Sequence, residues 1–167
     1  AFSVPVLPPT IASLILRRLM KQDVNEFGEV SMKYRIKRGK SLFLAYVLHE
    51  WYVSPEPTIC IKKDSIPWYV YGEDGKSYGF ATARELDGDI LYLNSAAVVP
   101  ESRGNGLQKR LIRCRARYAD KHNLTAITYT TPDNSASINN LVSCGFRAYQ
   151  PEYPWVGKQY CYWRRDK

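Results

Sequence analysis

Leu91-Tyr92-Leu93-Asn94-Ser95-Ala96-Ala97-Val98-Val99-Pro100-Glu101-Ser102-Arg103-Gly104-Asn105-Gly106-Leu107-Gln108 decides the reading of this chain. An apolar run rich in strand formers stops at Pro100, a short glycine-containing loop follows, and Leu107 opens a basic amphipathic helix. Gly104 and Gly106 lack a Cβ, so the loop can turn its amides outward and let a ligand approach the main chain closely. The helix behind it adds unpaired N–H groups and the positive end of its dipole. Together these features predict a cradle for an anion, best suited to a phosphate-bearing ligand.

The details narrow the ligand. A dinucleotide fingerprint needs a third glycine where Lys109 stands, and the G-x-x-x-x-G-K-[ST] phosphate loop is absent. What fits is a strand, Val-x-Pro-Glu-x-Arg-Gly-x-Gly-Leu, then a helix. This resembles the acetyl-CoA motif of the GNAT superfamily of N-acetyltransferases, R/Q-x-x-G-x-G/A. Arg103, Gly104 and Gly106 sit on that pattern, and Gln108 replaces its final small residue.

A second segment strengthens the resemblance. Asn134, Ser137, Gly145 and Phe146 are similar to the family's downstream pattern, N-x-x-A/S-x-x-x-Y-x-x-x-G-F, at the separation the family requires. The same residues have an ordinary local reading. Asp133 or Asn134 caps a helix, Ile138, Leu141 and Val142 form its apolar stripe, and Gly145 supplies a left-handed end. Leu141 stands where the family carries its tyrosine.

Working outward, Ile11, Leu14, Ile15 and Leu19 are spaced for one helix face, whereas residues 23–40 are polar and basic, with Gly28 and Gly39 as breakers. Ser41 to Trp51 is apolar nearly all round and reads as a buried helix, stopped by Pro55 and Pro57. From Trp68 the pattern changes to strands and turns. Trp68–Tyr71, Ser77–Glu85 and Ile90–Val98 form an antiparallel meander around Glu73-Asp74-Gly75 and Asp87-Gly88-Asp89. Helix Leu107–Lys121 has Leu107, Leu111, Cys114 and Tyr118 on its inner face, and its cationic residues, Arg115 among them, on a solvated face. Strand Thr125–Thr131 should lie parallel to Ile90–Val98, because a helix crosses between them. Phe146–Tyr149 and Gln159–Arg164 close the sheet as an antiparallel pair. The expected fold is a mixed α/β domain, mostly antiparallel with a central parallel pair and flanking helices, as the GNAT resemblance also implies. One domain covers 1–167, with a helical acceptor-side region over 1–60 and a sheet core over 66–165.

Composition sets further bounds. The 167 residues suit one domain with a single core. No apolar run is long enough to span a bilayer, and Ala1–Thr10 has no basic lead of a secretory signal. Cys60, Cys114, Cys144 and Cys161 show no metal-ligand spacing, and only His49 and His122 could join them, so no metal is expected. Reduced thiols point to the cytoplasm. A net charge of +8 and a pI near 9.3 favour anionic partners. The aromatic, basic tail Tyr149–Lys167 could hold nucleic acid, but Tyr160, Tyr162 and Arg164 alternate with Cys161 and Trp163 like a final sheet strand. The compact chain and its tail also resemble small acetyltransferases carried by bacteriophages.

The resemblance implies direct acetyl transfer from acetyl-CoA, the co-substrate, to an amine on a protein or small molecule. The coenzyme arm would lie where the parallel strands splay, with the Val98 N–H on the thioester carbonyl. The amides of Arg103, Gly104, Asn105, Gly106, Leu107 and Gln108 would receive the pyrophosphate, Asn134 would contact the pantetheine or fix the facing loop, and Val99, Lys109, Ser137 and Asn140 would complete the coenzyme site. Tyr92 and Asn94 share a face with Val98 unless a bulge intervenes, and border the acceptor. Glu85 could act as base through water, and Tyr149, Tyr153 or Ser137 could supply the proton Leu141 cannot. Cys144 and His49 are read as core residues. A second copy of the chain stays open as a partner. Two other classes stay open: a catalytically silent CoA- or protein-binding module, for which Leu141 argues, and a basic nucleic-acid-binding protein, which the tail's alternation disfavours.

Overall fold

A computed structural model describes residues 33–53 and 60–167. The helix expected at Ile11–Leu19 and the stop at Pro55 and Pro57 lie outside the described residues. Seven strands form one sheet: β1 (Arg35–Arg38), β2 (Ile66–Tyr71), β3 (Ser77–Leu86), β4 (Ile90–Val98), β5 (Thr125–Thr130), β6 (Arg147–Tyr149) and β7 (Cys161–Arg165). Their spatial order is β1-β2-β3-β4-β5-β7-β6, and β4–β5 is the one parallel pair among the described residues. Helix α1 (Phe43–Tyr52) precedes β2, α2 (Leu107–Lys121) links β4 to β5, and α3 (Ser135–Val142) follows β5. The expected mixed sheet and its central parallel pair are present.

The two sheet faces carry separate cores. Phe80 and Tyr69 pack with Ala45 and Leu48 of α1. Trp68, Val70, Leu91, Leu93 and Trp163 pack with Leu107, Leu111 and Ile112 of α2 and with Leu141 of α3. Both faces are covered, which explains why β2 and β3 read as apolar runs rather than clean alternations. The Asp87–Asp89 turn places both Gly88 (φ +77°) and Asp89 (φ +56°) in the left-handed region, as a tight hairpin turn demands.

Three expectations need correction. First, the segment 23–40 contains β1, which pairs antiparallel with β2, so the region 1–60 is not wholly helical. Ile36 is the strand's one apolar residue and packs onto the core, and one residue cannot display an alternation. Second, Arg115 is not on a solvated face. It is buried on α2 in line with Leu107, Leu111 and Ala119, while Cys114 is only partly buried and Tyr118 packs edge-on against Trp68 at the margin. Third, Tyr92 and Asn94 do not share a face with Val98. The β3–β4 register slips between Thr82 and Ala83, pairing them with Ser95 and Leu93, so Asn94 is the extra residue of a bulge. Leu91 and Leu93 face α2 before the bulge, and Ala96 and Val98 face it afterwards.

The tail belongs to the sheet. Tyr162 and Trp163 are buried in β7, and Trp163 Nε1 donates to Thr130 Oγ1 at 2.9 Å. The Tyr162 hydroxyl accepts from the Val156 and Gly157 amides (both 3.1 Å) and donates to the Gly157 carbonyl (2.9 Å), fixing the loop before β7. Leu141 is buried among core residues. Leu141→Ala should therefore lower unfolding free energy by about 2–5 kcal/mol, read as a lower urea midpoint at unchanged slope.

Candidate active site

Pro100 ends β4 and starts a single 3₁₀ turn, Pro100–Ser102. Gly104 (φ +82°) and Gly106 (φ +66°) then take left-handed conformations, and the Arg110 N–H closes the first turn of α2 on the Gly106 carbonyl. Earlier N–H groups of the helix have no intrahelical acceptor, so they point out of its start. A Cβ placed on either glycine would meet nothing within 4 Å, so space beside the loop is open. Across from it, the Asn134 side chain caps α3 by accepting from the Ser137 N–H at 3.1 Å. Gly145 (φ +84°) ends that helix as expected.

One cavity of about 610 Å³ lies between these two helix starts and the end of β4. It brings together ten of the twelve residues expected to hold the coenzyme: Val98, Arg103, Gly104, Gly106, Leu107, Gln108, Lys109, Asn134, Ser137 and Asn140. Val99 and Asn105 are not among its walls. Val99 is buried and its N–H donates to the Tyr78 carbonyl, while the Asn105 amide braces the loop by donating to Ser102 O at 3.1 Å. Tyr52 of α1 also lines this cavity, which nothing in the sequence signalled. Burial, then the Glu101 carboxylate, raises its phenol pKa.

The Val99 N–H points at β3, so alternation turns the N–H groups of Val98 and Ala96 toward β5. There β5 has left. The parallel pairing runs only over Ile90–Tyr92 with Thr125–Ile127, and beyond it the strands diverge. The gap holds an inner cavity of about 140 Å³, walled partly by Ser95, Arg115, Thr128 and Tyr129. Inner and outer cavities share Ala96, Gln108 and Ser137, and Gln108 Nε2 donates to Ser137 Oγ at 2.9 Å between them. The departure from the family pattern at Gln108 thus builds a partition.

The expected catalytic side chains scatter. Asn94 reaches the inner cavity, but its amide Nδ2 is committed to Cys60 O (2.6 Å) and Ser65 Oγ (3.2 Å). Tyr92 lines a separate apolar groove with Ile127 and Trp155; burial, then the adjacent Tyr129 phenol, pushes its pKa up. Glu85 accepts from the Tyr118 hydroxyl at 2.5 Å and pairs across the strands with Leu91, seven residues from Val98. At about 3.3 Å per residue that separation is roughly 23 Å, too far for one water to bridge. Among the hydroxyls weighed as proton donors, Tyr149 lines the apolar groove, Tyr153 is exposed and Ser137 borders both cavities. Tyr129, a hydroxyl outside that set, lines the inner cavity and keeps its proton, because burial raises its pKa. His49 is fully buried beside Phe80, and Cys144 Sγ sits 3.8 Å from the Lys109 carbonyl, both as core residues. No group of three or more metal-ligating side chains occurs among the described residues. Nor is any helix among them long and apolar enough to cross a membrane.

The sequence model of the acetyltransferase (GNAT) family matches residues 31–146, which include both helix starts and the splayed strands. The chain belongs to the GNAT acetyltransferase family. Solved structures share the fold at low identity. An acetyltransferase from Bacillus subtilis in complex with CoA is 16% identical at a TM-score of 0.65, over 81% of this chain and 99% of that one. An IAA acetyltransferase from Bacillus cereus is 13% identical at 0.65, over 81% and 100%. The ribosomal-protein-S18-alanine N-acetyltransferase from Escherichia coli is 18% identical at 0.64, over 80% and 93%. No curated protein matches the chain.

Proposed function

We propose that this GNAT protein is an N-acetyltransferase that moves the acetyl group of acetyl-CoA directly to an amine on a protein or small molecule. One observation carries the reading. The cavity at the glycine loop and the gap between the parallel strands adjoin, with Ala96, Gln108 and Ser137 in the walls of both, an arrangement suited to holding a diphosphate and a thioester on one flexible arm.

The residues fit such a co-substrate. The loop amides and the start of α2 suit the pyrophosphate, with Arg103 and Lys109 adding positive charge. The amides of Val98 and Ala96 offer strand-like pairing to the arm, and a thioester oxygen beside one of them is held more strongly as it gains negative charge. Binding both partners in one cleft aligns amine and carbonyl without a covalent enzyme intermediate. Tyr129 is placed to return a proton to the departing thiolate, the task Leu141 cannot perform. Basicity favours an acidic acceptor. Burial of Tyr162 and Trp163 in the sheet takes support from the nucleic-acid alternative.

Incubation of an amine panel with isotopically labelled acetyl-CoA, read by mass spectrometry, should find one acceptor class that gains the label. Tight CoA binding with no labelled product would instead favour the silent module. Gly106→Trp should abolish CoA binding in calorimetry while the protein still melts cooperatively, since strain at this backbone costs only about 1–2 kcal/mol; undiminished affinity would refute the phosphate assignment. Tyr129→Phe should lower kcat about 10²-fold, with CoA affinity unchanged. Unaltered kcat would remove Tyr129 from the proton path.

A further inference from the structure

Arg115 is the residue that the function so far does not use. It is 4% exposed, it projects from the middle of α2, and it walls the inner cavity. Its Nε donates to Leu111 O at 3.3 Å and its Nη1 to Thr82 O at 3.1 Å. A guanidinium carries five N–H donors, so these two bonds leave most of its capacity unspent. No carboxylate among the described residues pairs with it. Burial lowers its pKa to about 10, which still leaves it cationic at neutral pH. A buried charge without an ionic partner is costly, and a chain that retains one needs a use for it.

The same cavity wall carries unpaired polar atoms: Ser95 Oγ, which can donate, and Asn94 Oδ1, which can only accept, are both buried without hydrogen-bond partners. The cavity of about 140 Å³ would hold four or five waters at about 30 Å³ each, or a few heavy atoms of a ligand. It adjoins the cavity at the glycine loop through Ala96, Gln108 and Ser137, which line both. We infer that this inner cavity receives the end of a short acyl chain bearing a carboxylate, with Arg115 as its cationic partner and Ser95 as a hydrogen-bond donor. The CoA thioester of a small dicarboxylic acid is then accepted as a donor beside acetyl-CoA and is held more tightly than an uncharged acyl chain of similar length. This rests on the acyltransferase reading and sharpens it. In the transfer the acceptor nitrogen bonds to the thioester carbon, the carbon–sulfur bond breaks, the amine's proton ends on the thiol, and the distal carboxylate is unchanged.

Calorimetry on the full chain with CoA, acetyl-CoA, butyryl-CoA, malonyl-CoA and succinyl-CoA tests the inference. Wild-type protein should bind malonyl- or succinyl-CoA at least tenfold more tightly than butyryl-CoA. Arg115→Met should erase that preference and leave the affinity for free CoA within twofold, and Arg115→Lys should restore part of it. If CoA binds but the carboxylated thioesters show no advantage, Arg115 only mends the backbone and this inference fails alone. A preference that survives Arg115→Met overturns it as well. If neither CoA nor any thioester binds, the acyltransferase reading falls with it. Should Arg115→Met fail to fold, the wild-type comparison decides the matter by itself.

Discussion

The structure turns on one irregularity in one strand. The extra residue at Asn94 interrupts β4 just past the last β4–β5 pair, and the candidate site lies where the two strands part. Before that point the parallel ladder is continuous. After it, Val98 and Ala96 have backbone donors and no neighbouring strand to receive them. The bulge also alters the β3 side, where Thr82 O accepts from Arg115 of α2. The register change in β4 thus lies between an open backbone edge on one side and, on the other, the β3 carbonyl that accepts from Arg115.

Much of this was legible in the sequence, for identifiable reasons. The Gly104–Gly106 loop was legible because positive φ and a helix start leave distinct residue marks. The meander was legible because glycines and aspartates punctuate it. β1 was not, since Ile36 alone cannot establish a period and its flanking residues are cationic. The bulge was not legible either. Asn94 carries no glycine or proline signature, and its amide is occupied by Cys60 and Ser65 from a distant loop. The faces of Tyr92 and Val98 depended wholly on that bulge, so alternation alone could not assign them.

Arg115 is a different kind of miss. Leu107, Leu111, Arg115 and Ala119 are spaced four apart, so helical geometry placed the guanidinium on the inner stripe from the start. The residue type hid it: a cation among five other cations on one helix reads as part of a solvated face. Residue type is a prior on burial, and spacing is closer to a measurement. Gln108 shows the same conflict in a milder form. It departs from a small-residue position, yet its length is what lets it reach Ser137 on the opposite helix.

The loop before β7 carries one last implication. A single phenol, Tyr162, grips two amides and a carbonyl of Val156 and Gly157 from within the sheet. That anchorage fixes the spine of the wall beside the apolar groove while the outward rim, from Pro151 to Pro154, remains free to vary in composition. Diversification of recognition can thus proceed by exchanging rim side chains, with the strand scaffold and the coenzyme cleft left undisturbed.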